Sequence, residues 1–230
     1  MPQLFPRKAN ALPTLSLFGA LGGGVLVVLL SWYYLSPEFY EVGYQPEQPV
    51  DYSHALHAGQ LGMDCRYCHN HVEQSPHANV PSTQTCMNCH GVVQTQSAEL
   101  LPVRESWATG VPIEWVKIHH LPDYAQFSHA VHVNVGVGCE SCHGRIDQME
   151  VVYQAEPLSM GWCLECHRAP EEHLRPVDQV TTMGYLEKLF GHEEGTDEYA
   201  EAYEQYVAAN LVRVDRENIR PPQNCSACHY

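Results

Sequence analysis

Cys65-Arg66-Tyr67-Cys68-His69 is the stretch on which the reading of this chain turns. The same spacing returns at Cys86-Met87-Asn88-Cys89-His90, Cys139-Glu140-Ser141-Cys142-His143, Cys163-Leu164-Glu165-Cys166-His167 and Cys225-Ser226-Ala227-Cys228-His229. Two thiols two residues apart can each add to one vinyl group of a single porphyrin, and the adjoining imidazole then lies beneath its iron. Five copies use all 10 cysteines. Disulfides or C-x-x-C zinc sites would leave the histidine after every second cysteine without a reason. The expected cofactors are therefore five covalently bound haem c groups. Their proximal iron ligands are His69, His90, His143, His167 and His229, and no thiol is left over for a disulfide.

The rest of the composition agrees with a chain folded around porphyrin. After the apolar N-terminal stretch about 190 residues remain, roughly 40 per haem, too few for an ordinary hydrophobic core at each. The expected fold is mainly α and irregular, a haem-packed core with little strand and one N-terminal transmembrane helix. The formal net charge of −15, with only 12 Lys+Arg, excludes nucleic acid as a partner. Acidity of this kind keeps a domain soluble, or offers a docking surface to a cationic redox partner.

Taken in order, residues 1–13 are a short basic tail with Arg7 and Lys8. Residues 14–35 carry no charge and would span about 33 Å as a helix, enough to cross a bilayer. Trp32, Tyr33 and Tyr34 stand at the far end as interfacial aromatics. The positive charge before this run, and Glu38, Glu41, Glu47 and Asp51 after it, place the tail in the cytoplasm and the remainder in the periplasm of a bacterial inner membrane. A cleaved signal peptide is the competing reading. The run is long for one, and lacks a clear small-x-small site before polar chain. Gly22-Gly23-Gly24 either lets another membrane helix approach closely or is merely tolerated. Residues 36–50, with Pro37, Pro46 and Pro49, read as an extended linker.

The haem-bearing region, 51–230, contains an internal repeat. Tyr52-Ser53-His54-Ala55-Leu56-His57 precedes Cys65, and Phe127-Ser128-His129-Ala130-Val131-His132 precedes Cys139. Each box is followed by two haem motifs. This gives a module at 51–112 for haems 1 and 2 and another at 113–180 for haems 3 and 4. Residues 181–230 hold an acidic helical region and haem 5. Residues 91–122 read as loop-rich. Thr196-Asp197-Glu198 reads as a helix start, with Tyr199, Tyr203, Tyr206 and Val207 forming an apolar stripe.

A filled distal position confines an iron to electron transfer, and an open one admits substrate. Ten histidines remain outside the motifs. In His-x-x-His both rings leave one face of a helical turn, so each can meet a different haem. His54, His57, His129 and His132 are thus distal candidates, joined by His119, with His120 as its immediate alternative and His77 as another candidate for haem 2. Met160, three residues before Cys163, would either ligate haem 4 through its thioether or pack beside Trp162. His71, His173 and His192 read as surface residues.

The boxes resemble those of small multihaem cytochromes of the c3/c7 type. That resemblance implies that the first histidine serves the haem attached just after it and the second crosses to a neighbour. His54 then serves haem 1 and His129 haem 3. The whole chain resembles the membrane-anchored pentahaem cytochrome c subunit of alternative complex III, a bacterial quinol oxidoreductase. This rests on the five motifs behind one anchor and on Gly62-Met63-Asp64-Cys65, Leu121-Pro122-Asp123-Tyr124, Gly136-Val137-Gly138-Cys139 and Pro157-Leu158-Ser159-Met160-Gly161-Trp162-Cys163. The family implies a multi-helix quinol-binding membrane subunit and an iron–sulfur subunit as partners. It also implies a monohaem cytochrome c, a high-potential iron–sulfur protein or an oxidase as acceptor.

The expected function is electron relay within such a complex, with no catalytic residue of the chain's own. A self-sufficient quinol dehydrogenase of the small membrane-anchored type would need quinol bound beside a haem. A multihaem reductase of a small oxidant would need an open iron, whereas the spare histidines outnumber the distal positions and no C-x-x-C-K variant occurs.

Overall fold

In this computed structural model, residues 6–192 and 194–229 are described. The first five residues of the basic tail lie outside the described residues. The apolar run folds as helix α1, Leu12–Tyr34, with Pro13 in its first turn and no buried residue. Such a helix is long and apolar enough to cross a membrane. Just beyond it, α2 (Pro37–Tyr40) turns Phe39 back onto Tyr33 and Tyr34, with ring centres 5.4 and 4.7 Å apart.

The stretch read as an extended linker is fastened to the haem-bearing region. Gly43 N–H donates to the Gln154 carbonyl and Gln154 N–H to the Tyr44 carbonyl, at 2.8 and 3.0 Å. The Gln48 amide exchanges two hydrogen bonds with the backbone of Val116, at 2.9 and 3.0 Å. Proline spacing marks extended chain but carries no record of such long-range partners.

Among the described residues there is no strand, only two isolated bridges, Ala125 with His229 and Val137 with Leu174. Short helices carry the motifs. Helix α3 (Cys65–Cys68) is capped by Asp64, whose carboxylate accepts from Arg66 N–H at 2.8 Å. Helix α4 (Thr83–His90) holds the second motif. Inside the span read as loop-rich lies α5, Leu101–Thr109, closed by Gly110 at φ 74°. It is tied to α4 by a 2.7 Å bond between the Thr83 and Ser106 hydroxyls. Helices α6 (His129–Val135) and α7 (Glu140–His143) hold the second box and the third motif. Helix α8 (Met160–Arg168) is capped by the Ser159 hydroxyl. Then come α9 (Tyr185–Phe190), α10 (Asp197–Arg216) and α11 (Cys225–Cys228). Thr196 caps α10 by accepting from Tyr199 N–H.

Each His-x-x-His box is docked on distant chain. The second box docks on chain that follows the first motif: His129 N–H donates to Pro76 O, Ala130 N–H to Ser75 O, and the Asn134 amide to Glu73 O. The first box, a π-helical turn over Ala55–Gln60, docks on chain that follows the third motif, with Ala55 N–H on Met149 O. Gly59 is required there because a Cβ would collide with the Asp147 carbonyl oxygen.

Helix α10 closes the far side. The Asn210 amide donates to Glu171 O and Leu174 O, and Arg213 to Arg175 O and Val135 O. Beneath it the buried Arg175 guanidinium pairs with Glu140 of the third motif at 2.7 Å. The same group also donates to Thr182 O and lies over the Tyr185 ring. The apolar core of buried side chains is small, a cluster of Val72, Val133 and Val180, as expected of a chain packed around porphyrin.

Candidate haem sites

Each motif folds as a helical turn because its spacing suits one: the histidine N–H returns to the carbonyl of the first cysteine. In the first, third and fifth motifs these bonds measure 2.8, 3.0 and 2.9 Å. That turn places two thiols and one imidazole on the same side of the chain. No two of the ten cysteines are joined to each other, and Cys89 and Cys225 are exposed while the others are half-buried.

The boxes repeat in space as closely as in sequence. Tyr52 meets His54 edge-on at 4.8 Å and stacks on His57 at 4.5 Å. Phe127 meets His129 edge-on at 4.8 Å and stacks on His132 at 4.7 Å. In each box the second histidine's Nδ1 lies 2.8 Å from the serine carbonyl, Ser53 O or Ser128 O. A carbonyl can only accept, so Nδ1 carries the proton and Nε2 keeps its lone pair for a metal.

The rings these histidines approach are those of the motifs. His57 and His90 have ring centres 6.2 Å apart, His132 and His167 6.1 Å, and His129 and His143 6.3 Å. Two imidazole nitrogens about 2 Å on either side of one metal ion place their ring centres about 6 Å apart. His54 is half-buried near His69 and His57. Burial first, then those two charges, lowers its pKa to about 4. Its Nδ1 is buried with no hydrogen-bond partner.

Of the motif histidines, His69 Nδ1 lies 2.6 Å from Asn79 O, His90 Nδ1 3.2 Å from Val93 O and His167 Nδ1 2.7 Å from Pro222 O. His143 instead meets His119, with Nδ1 3.3 Å from the His119 Nε2 and ring centres 4.4 Å apart. The ring found against His229 is that of Tyr124, at 5.8 Å. His119 therefore sits beside His143 and not in the kind of opposed pair that His57, His129 and His132 form. His77 is exposed and close enough to His129 to affect its charge. His71, His120 and His192 are exposed, His173 is half-buried, and Met160 opens α8 with 65% of its surface exposed.

The thiols of different motifs are also neighbours. Burial and then the charge of Cys86 raise Cys68. A hydrogen bond between the sulfurs of Cys65 and Cys139 raises Cys139 and lowers Cys65. Cys142 is pushed up to about 12 by burial, with Cys166 and Cys163 adding to it. Cys163 is raised by burial and then by Cys228. This adjacency between motifs distant in sequence could not be read from the spacing.

At the second, third and fourth motifs, paired thiols, an adjoining imidazole and an opposed imidazole about 6 Å away are the donor set that haem c takes, and those residues fit that group. Residues 125–230 match the family described as cytochrome c7 and related cytochrome c. The chain is also 29% identical over 173 residues, 66% of its own length and 80% of the relative's, to the multiheme cytochrome c subunit of the menaquinone reductase of Nitratidesulfovibrio vulgaris. The described residues are thus mainly helical, with one N-terminal apolar helix that could span a membrane, and residues 125–230 are similar to cytochrome c7 and related cytochromes c.

Proposed function

We propose that the chain is a membrane-anchored pentahaem cytochrome c that relays electrons within a quinone-linked respiratory complex. The observation that carries this is the pairing of His57 with His90 and of His132 with His167 at ring spacings of 6.2 and 6.1 Å. When bound, each haem supplies a one-electron iron couple. The cysteine pairs would hold it covalently, and the motif histidine would ligate it. At four of the five sites a box histidine would fill the remaining position and exclude substrate from it, with Nδ1 of His57, His129 and His132 held on a backbone carbonyl. His57 thus serves the second motif, His132 the fourth, His129 the third and His54 the first.

The thiol neighbours support one sequence of sites: second motif, first, third, fourth, fifth. Helix α1 holds this relay at the periplasmic face, with the basic tail in the cytoplasm. Its specific home is an alternative-complex-III-type quinol oxidoreductase. There a multi-helix subunit handles quinol and an iron–sulfur subunit hands on electrons, and a monohaem cytochrome c or an oxidase receives them. The relative's name favours a second reading, in which the relay delivers electrons to menaquinone instead.

Purification of the native assembly, with haem counting by pyridine haemochrome and turnover with menaquinol, tests the proposal. Five haems per chain, and quinol oxidation by the assembly but not by the isolated chain, are expected. Quinol oxidation by the isolated chain would make it a self-sufficient dehydrogenase. Turnover only in the direction of quinone reduction would select the second reading.

A further inference from the structure

We infer that the face built around the chain leaving α1 is seated on the headgroup layer of the membrane that α1 crosses, and that this seating orients the haem-bearing region. This rests on the reading of α1 as a membrane anchor. Phe39, Tyr40, Tyr44, Val116, Val151 and Tyr153 are exposed apolar side chains of this face. They come from three segments that hydrogen bonds join into one surface. The Gln45 amide donates to Val151 O at 2.9 Å, and Gln154 N–H donates to Tyr44 O at 3.0 Å. The Gln48 amide exchanges two bonds with the Val116 backbone. The face begins at the membrane helix itself, because Phe39 packs on Tyr33 and Tyr34 at the end of α1.

Place and composition identify the occupant. Helix α1 is long and apolar enough to cross a bilayer, so where it ends the chain emerges among lipid headgroups. Tyrosine joins an apolar ring to a polar hydroxyl and favours that layer. Glu38, Glu41 and Glu47 interleave with the aromatic residues. Carboxylates are expelled from hydrocarbon, whereas a zwitterionic headgroup layer offers them ammonium groups. Anionic headgroups would repel them. The face therefore fits zwitterionic headgroups and not acyl chains.

A bare tether would leave the haem-bearing region free to turn about residues 36–50. The bonds of Tyr44, Gln45 and Gln48 remove that freedom, and the seated face fixes which side looks at the membrane. Helix α1 supplies the anchorage and the face supplies the orientation.

The test reconstitutes the full haem-loaded chain in phosphatidylcholine liposomes doped with a phosphatidylcholine whose headgroup carries a photoactivatable diazirine. Adducts are mapped by mass spectrometry after irradiation. Leu211 and Val212, exposed apolar residues of α10, serve as the comparison. Adducts are expected at the end of α1 and on residues 39–44, 116 and 151–153, the latter at several-fold the yield on the α10 pair. Adducts on α1, with yields on those segments no higher than on α10, would overturn the inference and leave the anchor reading intact. A chain without adducts on α1 would strike the anchor reading and the inference with it. The native assembly is treated in the same way. Loss of the adducts there would show that a protein subunit covers the face, and would overturn the inference equally.

Discussion

His132 has its ring centre 6.1 Å from that of His167, while His129, one helical turn earlier, is 6.3 Å from His143. Two side chains of helix α6 thus reach the histidines of two different motifs. Under the proposed function the box would span the third and fourth haem sites and fix their separation, on which electron transfer depends steeply.

The first box should behave the same way. His57→Ala is expected to convert one haem, that of Cys86 and Cys89, to a five-coordinate high-spin state and to leave the first site low-spin. Resonance Raman spin-state markers on the oxidised protein check this. Retention of the native number of low-spin haems would show that His57 binds no iron.

The buried Arg175–Glu140 pair should matter more than the exposed ones. Its side chains are only 5% and 14% exposed, and the guanidinium reaches Thr182 O as well. Removing one partner leaves a buried charge unpaired. Arg175→Met should therefore destabilise the haem-loaded chain by about 3–5 kcal/mol. Replacing both by apolar residues should recover much of the loss. Denaturant unfolding of the two variants measures both.

Acid should loosen the cap of α3. The Arg66 side chain beside it holds the Asp64 carboxyl down at about 2, against an ordinary 3.8, and the Thr181 hydroxyl also donates to it. A carboxylate depressed in the folded state adds stability above its unfolded pKa and loses it as pH falls. The contribution is present above about pH 4 and disappears toward about pH 2. Asp64→Asn keeps a capping oxygen but cannot titrate. Its stability should therefore fall less steeply across that window than the native chain's in pH-dependent unfolding.

Much of the site was legible because its signals are local. C-x-x-C-H and His-x-x-His place chemistry within one helical turn, so spacing points to His57, His129 and His132, whose rings face motif histidines. What escaped depends on distant partners. Nothing near Gly59 announces the Asp147 carbonyl that crowds it. Nothing near His119 announces that His143 lies against it. The proline-marked stretch after α1 hides the bonds to Gln154 and Val116, and residues 91–122 conceal α5 behind Pro102 and Gly110. The docking of the two boxes is likewise invisible, because it uses backbone carbonyls at Ser75, Pro76 and Met149, which any residue supplies.

Helix α1 should be dispensable for haem loading. It buries none of its residues. A chain in which a cleavable export signal replaces residues 1–35 is expected to remain in the soluble fraction with five haems by pyridine haemochrome. Loss of haem would show that α1 takes part in folding the rest.

The most direct test of the account is experimental density for the haem-loaded chain at a resolution that identifies axial ligands. The account expects Nε2 of His132 and Nε2 of His167 on the same iron, that of the porphyrin held by Cys163 and Cys166. His132 bound to the iron of the porphyrin held by Cys139 and Cys142, or to no iron, would contradict it.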